Sequence, residues 1–247
     1  MSSPKVAIVM PCAEAVSPRS VQSLALMIAQ ACKESVDVKL IGITERTLIH
    51  SARNWLSKEF LATDCDWVFW MDSDMILEPR TIPVMLRWAD KLKATFLTGI
   101  YYQRMGKFLP TIGVNSVTSD GKTAKLPDDY SFHRVGVSED AKIPFKVDVC
   151  GFGCVLMHRS VFDGMKYPFF RFIFNEDSSK PDSYISEDTY FCSVARKNGT
   201  ELWAVPELTC GHIGQAPVIT ARDFQPDKSA LLKIEVKKAN TEEVLLK

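Results

Sequence analysis

Trp67-Val68-Phe69-Trp70-Met71 runs directly into Asp72-Ser73-Asp74. Five apolar residues without a polar interruption have the length of a strand. Their lack of alternation marks a strand covered on both faces, as in the middle of a parallel sheet. Upstream, Val6–Met10 is another apolar run, ended by Pro11. Ser17-Pro18 then supplies an N-cap and a first-turn proline. Val21, Leu24, Ala25, Ile28, Ala29 and Cys32 follow at helical spacing and predict one inward stripe. Val38–Ile43 reads as a second strand, and a second helix carries Ala52, Trp55, Leu56 and Phe60 on one face. Beyond the aspartates, Pro79 opens a third helix with Ile82, Met85, Leu86 and Leu92 inward, and residues 95–102 form a fourth strand. Strands alternating with helices on short connections imply right-handed crossovers and an α/β fold: a doubly wound, mainly parallel central sheet with helices on both faces. Such a sheet binds ligands at the carboxyl ends of its strands. That rule singles out Pro11-Cys12, the segment after Ile43, and Asp72-Ser73-Asp74.

The second half is less regular. Residues 115–145 are rich in Gly, Pro, Asp, Ser and Lys and read as a surface excursion or small hairpin. Lys146–His158 reads as one long apolar strand interrupted by Gly151 and Gly153, and Phe169–Ser183 as a loop. Ser186 starts another helix, Leu202–Val205 is another strand, and the charged, amphipathic tail from Asp227 suggests a closing helix. No internal repeat or linker demands a domain cut.

Composition narrows the function classes. A chain of 247 residues, 46% hydrophobic and 24% charged, is ordinary globular material with room for a real core. Basic and acidic side chains balance at 30 each, so there is no strong nucleic-acid signature. No apolar run approaches the roughly 20 residues of a transmembrane segment, and Val6–Met10 is too short for a signal h-region. The seven cysteines are odd in number and lie in apolar elements, which predicts reduced, mostly buried thiols in a cytoplasmic protein. Cys150 and Cys154 stand too far from other soft ligands to make a zinc site.

Two carboxylates at i and i+2 beyond a buried strand end can aim at one point. Hard oxygen ligands there suit magnesium or manganese, with positions left for phosphate oxygens and water. Spacing alone is weak evidence, because a chain with 17 aspartates yields about one D-x-D by chance. Asp64-Cys65-Asp66 is indeed a second, but it precedes the strand and reads as a solvated loop. Ser186-Glu187-Asp188 places two acids in a first helical turn, where the dipole alone explains them. The alternative makes one of them a general base. His212, flanked by Gly211 and Gly214, sits where backbone can approach a ligand closely, and its imidazole suits a third metal ligand.

Together these pieces resemble the glycosyltransferase family 2-like group of GT-A enzymes, from about Lys5 to His212. Ala52-Arg53-Asn54 and Trp67 through Asp74 are similar to the family's donor half. Val149 through Phe162, with Gly151 and Gly153, is similar to its glycine-containing acceptor strand. Ser186-Glu187-Asp188 and the later Lys197-Asn198-Gly199 are similar to its acidic helix start and following turn. The resemblance implies a single GT-A domain over 1–247: a Rossmann-like nucleotide-sugar half to about 105, an acceptor half over about 106–222, and a tail from about 223. It implies a hexosyl- or pentosyltransferase that uses a UDP- or GDP-type nucleoside-diphosphate sugar and a divalent cation, Mn2+ or Mg2+. Asp72 would face the ribose or base and Asp74 the metal, with Asp72 and His212 completing the ligand set. Pro11, Arg53 and Ser73 would line the donor site, and Gly151 and Gly153 the sugar. Asp188 would be the base, with Glu187 beside it to orient or cap. Arg104 or Lys107 would help stabilise the leaving phosphate. A metal-binding His212 is more typical of GT-A enzymes that retain anomeric configuration, so stereochemistry stays open, as does the acceptor.

Two other readings compete. A sugar-phosphate nucleotidyltransferase usually has a glycine-rich, basic loop after the first strand, whereas Pro11–Ser20 has no glycine and one arginine. A noncatalytic carbohydrate- or protein-binding domain on the same fold would not be expected to keep Asp72, Asp74, Asp188 and His212 together. Release of nucleoside diphosphate from a sugar donor in manganese separates these readings. The two D-x-D tripeptides give a sharper test. Asp64→Asn and Asp66→Asn should each leave turnover within a few-fold of wild type, while Asp72→Asn should raise the donor KM or abolish activity. Equal damage from both sets would contradict the placement of the strand.

Overall fold

The computed structural model describes residues 3–13, 15–44, 48–106, 108–115, 132–138, 140–174, 184–214 and 231–233. The first half alternates β1 (Lys5–Pro11), α1 (Pro18–Lys33), β2 (Asp37–Thr44), α2 (Ile49–Leu61), β3 (Trp67–Met71), β4 (Met75–Ile76), α3 (Thr81–Leu92) and β5 (Phe96–Ile100). Short strands follow: β6 (Ile112–Asn115), β7 (Phe132–Gly136), β8 (Phe145–Val147), β9 (Val149–Cys150), β10 (Cys154–His158), β11 (Ile173–Phe174) and β12 (Tyr184–Ile185). The chain then makes α4 (Glu187–Lys197), β13 (Leu202–Thr209), β14 (Gly211–His212) and β15 (Leu231–Lys233).

Seven strands form the central sheet in the order β2-β1-β3-β10-β5-β13-β8. β1 lies parallel to β2 and β3, and β13 parallel to β5. Two strands run the other way: β10, between β3 and β5, and β8, at the edge beside β13. Alternate residues of the central strands enter opposite cores. Ala7, Val9, Val68, Trp70, Val155 and Met157 pack with α2 and α4. Val6, Ile8, Met10, Phe69, Met71 and Leu156 pack with α1 and α3. Both faces are dry, which is why these strands read as unbroken apolar runs. The mainly parallel, doubly wound sheet expected from the sequence is present.

Several local expectations are corrected. Lys146–His158 is not one strand. Its residues divide among β8 at the sheet edge, β9 in a second sheet of order β15-β7-β6-β9, and β10 in the centre. The breaks fall at Asp148, whose carboxylate accepts from Asn115 N at 2.7 Å, and at Gly151–Gly153. The buried face of α1 is Ser20, Ser23, Leu24, Met27 and Ala31, whereas Val21, Ala25, Ala29 and Cys32 face out. The helix turns this way because Ser23 Oγ accepts from Leu77 N (2.7 Å) and donates to Leu77 O (2.9 Å), satisfying a buried backbone pair. Trp55 is half-exposed and shields Gly42, while Arg53 takes the inward position expected of it. α3 starts at Thr81 with Arg80 as its cap, two residues later than Pro79 suggested. Within the expected loop, Phe169 and Phe170 are buried, and Ile173–Phe174 pairs with Tyr184–Ile185. β6 and β7 pair antiparallel, and residues 116–131 of the expected excursion over 115–145 lie outside the described residues. Of the tail, residues 231–233 form a strand beside β7, and the rest of the expected closing helix lies outside the described residues.

Candidate active site

Asp72, Ser73 and Asp74 turn off the carboxyl end of β3 and lead into β4. β4 pairs with β14, setting His212 opposite Met75, and Ile213 N donates to Asp74 O at 2.9 Å. β14 reaches that position because β13 breaks register with β5 between Val205 and Thr209, at Pro206, a residue with no N–H to give a ladder. The outcome is a carboxylate beside an imidazole: Asp74 Oδ2 lies 3.3 Å from His212 Nε2. His212 Nδ1 donates to Tyr102 O at 2.7 Å. Arg104, exposed on the loop after β5, also donates to Asp74 Oδ2. Burial opposes the charge on His212, but the Asp74 bond and the Tyr102 carbonyl outweigh it and raise the imidazolium. Burial likewise pushes Asp74 up, yet the bond to His212 and the charges of His212 and Arg104 leave its carboxyl below the usual range.

Asp72 turns a different way. Its Oδ1 accepts from Arg53 Nη2 at 3.0 Å, and Arg53 Nε reaches Glu187 Oε1 at 3.2 Å. Arg53 rises from α2, is 3% exposed, and lies 5.3 Å above Phe152 and 5.6 Å above Trp70. Among the described residues its Nη1 has no hydrogen-bond partner. Burial alone would lower the guanidinium, but Asp72, Glu187 and Asp188 together hold it well above its ordinary value. Arg53 therefore lies buried behind Asp72 and joins it to Glu187. Glu187 is buried against it, and burial raises its carboxyl despite the arginine. Glu187 thus faces Arg53 and not the crevice.

Gly151 and Gly153 are explained by Tyr101. A Cβ at Gly151 would stand 2.2 Å from the Tyr101 hydroxyl, and one at Gly153 would stand 2.9 Å from its ring. Gly153 N donates to that hydroxyl at 3.0 Å, and the ring stands edge-on to His212, with centroids 5.4 Å apart. Burial raises the Tyr101 hydroxyl well above its usual value, so it serves here as a neutral buried group. The glycines thus make room for the Tyr101 side chain. Tyr101 was legible in principle, because it ends the fourth strand where the crevice rule applies.

Asp188 faces elsewhere. It lines a pocket of about 410 Å3 with Gln103, Thr111, Arg134, Cys150 and Tyr184 among others. Ser186 is the N-cap of α4 as expected, but its hydroxyl donates to Asp188 Oδ1 and accepts no helix N–H among the described residues. Thr189 N donates to the same oxygen at 2.7 Å. Gln103 precedes Arg104, so the pocket adjoins the Asp74–His212 pair. Pro11 ends β1 and is buried, paired in register with Thr44. Lys107 lies outside the described residues. Asp64 sits at the opposite end of the sheet, where it accepts from Lys5 (2.6 Å) and Lys39.

Among the described residues no group of three or more His, Cys, Asp and Glu stands ready to hold a metal. The candidate ligands Asp72, Asp74 and His212 differ in setting: Asp72 Oδ1 is ion-paired with Arg53, while Asp74 and His212 form a pair of their own. The pair itself fits a divalent cation that takes its other ligands from phosphate and water. It combines one carboxylate oxygen with one imidazole nitrogen, and the Nδ1 bond to Tyr102 leaves Nε2 directed at Asp74. The buried ion triad carries a prediction of its own. Arg53→Met leaves Asp72 and buried Glu187 unanswered and should cost about 3–5 kcal/mol of stability in urea unfolding. A loss under about 1 kcal/mol would show that the carboxylates are compensated elsewhere.

Solved structures share this architecture. A197 from STIV is 18% identical, aligned over 94% of this chain and 98% of that one, with a TM-score of 0.52. A structure of GalNAc-T7 with UDP, GalNAc and Mn2+ is 10% identical over 86% of this chain, with a TM-score of 0.54. This chain spans 43% of that one. No curated protein matches by sequence. These likenesses carry the fold, the α/β GT-A type expected from the sequence. The sequence itself matches glycosyl transferase family 2 over residues 19–165, a span that holds Asp72, Asp74, Gly151 and Gly153 and stops short of Asp188 and His212. With more than half of its 247 residues in that match, the chain belongs to glycosyl transferase family 2.

Proposed function

We propose that this protein moves a sugar from a UDP- or GDP-type donor to an acceptor hydroxyl, with a divalent cation at Asp74 and His212 and Asp188 as general base. The observation that carries this reading is the Asp74–His212 pair, 3.3 Å apart, beside the pocket that Asp188 lines. The GalNAc-T7 structure, solved with UDP, GalNAc and Mn2+ on a similar fold, supports the donor class and the cation. Hydrophobic contacts of β6, β7 and β9 join the same core as α2 and β3, which supports one transferase domain over 1–247, with donor and acceptor halves.

A bound Mn2+ or Mg2+ supplies Lewis-acid charge for the diphosphate leaving group. The protein's own part begins with Asp72, which Arg53 holds at the strand end, facing ribose or base. Ser73 and Pro11 line the same donor side. Arg104 is exposed enough to swing from Asp74 to a phosphate oxygen, where its planar fork suits the charge that develops as the sugar leaves. On the other side, Asp188 Oδ1 is fixed by Ser186 and Thr189. Among the described residues no hydrogen bond reaches Oδ2, which supports assigning that oxygen the acceptor proton. The attack then comes from the face opposite the leaving group and inverts the anomeric carbon. Glu187 is a positioning residue that acts through Arg53.

General-base removal has a defined size. Asp188→Asn keeps shape and the Oδ1 contacts but cannot accept the proton, so transfer should fall roughly 10²–10⁴-fold with donor binding intact. The product anomer, read by proton NMR, should be inverted. A retained anomer, or an Asp188→Asn variant within a few-fold of wild type, would overturn the base assignment.

A further inference from the structure

Arg134, on β7, brings the only positive charge among the described residues lining the Asp188 pocket. The described residues give it one hydrogen bond, from Nη1 to Pro110 O at 3.2 Å, and a guanidinium–ring contact of 4.8 Å with Phe132. They give it no ion pair. Burial pulls the guanidinium below its ordinary value, and the charge of Asp188 offsets that only in part. A half-buried cation so incompletely answered favours an anion arriving with the ligand.

The rest of the wall agrees. Phe132 and Tyr184 line the same pocket, and Tyr184 is 58% exposed at its edge. Aromatic faces of this kind cover the apolar side of a ring, while Gln103, Thr111 and Ser186 supply neutral hydrogen-bonding groups. An anion cannot settle beside the Asp188 carboxylate without repulsion, so it belongs at the Arg134 side. That arrangement leaves a hydroxyl of the same molecule facing Asp188.

We propose that the acceptor is a ring-bearing molecule with an anionic group, a carboxylate or a phosphate, that Arg134 binds while a hydroxyl faces Asp188. This rests on reading the pocket as the acceptor side of a glycosyltransferase. The carboxylate and phosphate forms share one chemistry, and separate probes tell them apart.

The test uses the full chain with Mn2+ and a nucleoside diphosphate present. Methyl glucuronide, glucose 6-phosphate and methyl glucoside are each titrated by ligand-observed NMR. At least one anionic probe should bind about 10-fold or more tighter than the neutral glucoside, in keeping with a charge-assisted pair. Arg134→Gln should erase that difference, and Arg134→Lys, which keeps the charge but loses the fork, should keep part of it. The lysine variant also decides the matter if the glutamine variant does not fold. Equal affinity for all three probes, a preference that survives in Arg134→Gln, or no binding of either anion would overturn the proposal. Thermal stabilisation by the nucleoside diphosphate, read on the wild-type samples, reports on the donor site separately. Its absence would count against the glycosyl-transfer reading, while the titrations still decide the anion preference.

Discussion

An arginine buried in a protein core must have its charge answered, and Arg53 is answered from two directions. Asp72 reaches it from the end of β3, and Glu187 from the first turn of α4. The same guanidinium therefore ties the donor-side turn to the helix that carries Asp188. Successive helix residues point about 100° apart. With Glu187 fixed on Arg53, its neighbour Asp188 is directed away from the core and onto the pocket wall. Trp70 and Phe152 lie within 6 Å of the guanidinium and keep water from it. One buried charge thus sets the direction of three carboxylates.

The second constraint is steric. Tyr101 occupies the space that side chains at Gly151 and Gly153 would need, and its hydroxyl takes the Gly153 N–H. The chain can then leave the second sheet at β9 and return through the centre as β10, antiparallel between β3 and β5. Tyr101 also packs edge-on against His212, whose position depends on the register break in β13. The Asp74–His212 pair and the Asp188 pocket are therefore linked through the segment after β5, where Tyr101, Tyr102, Gln103 and Arg104 each touch a different part of the candidate site.

How much of this was legible depended on how local the cause was. Trp67–Met71 announced a central strand because both of its faces are dry, and Ser186 announced a helix start through its own backbone position. The pairing of His212 with Asp74 was expected from chemical type and crevice position. Features set by distant partners did not show. Nothing near Arg53 in sequence indicates that residues 72 and 187 will both bury against it. The long apolar run at 146–158 hides three strands in two sheets, because its breaks answer to Tyr101 and Asn115. α1 misled for the opposite reason: Ser20 and Ser23 look polar, yet both are buried, and Ser23 takes that place by satisfying the Leu77 backbone. Arg134 gave no signal at all, since a lone arginine in a short strand resembles any surface residue.

The proposed function requires a cation that Asp74 and His212 would hold and a nucleotide would complete. Manganese is paramagnetic, so its ligands can be read directly. Pulsed electron paramagnetic resonance of Mn2+ bound with a nucleoside diphosphate should show nitrogen-14 modulation from a coordinated imidazole, together with phosphorus-31 coupling. His212→Gln should remove the nitrogen signal while leaving the phosphorus coupling of any residual complex. A wild-type spectrum with phosphorus coupling but no nitrogen, or a nitrogen signal that persists in His212→Gln, would contradict the account.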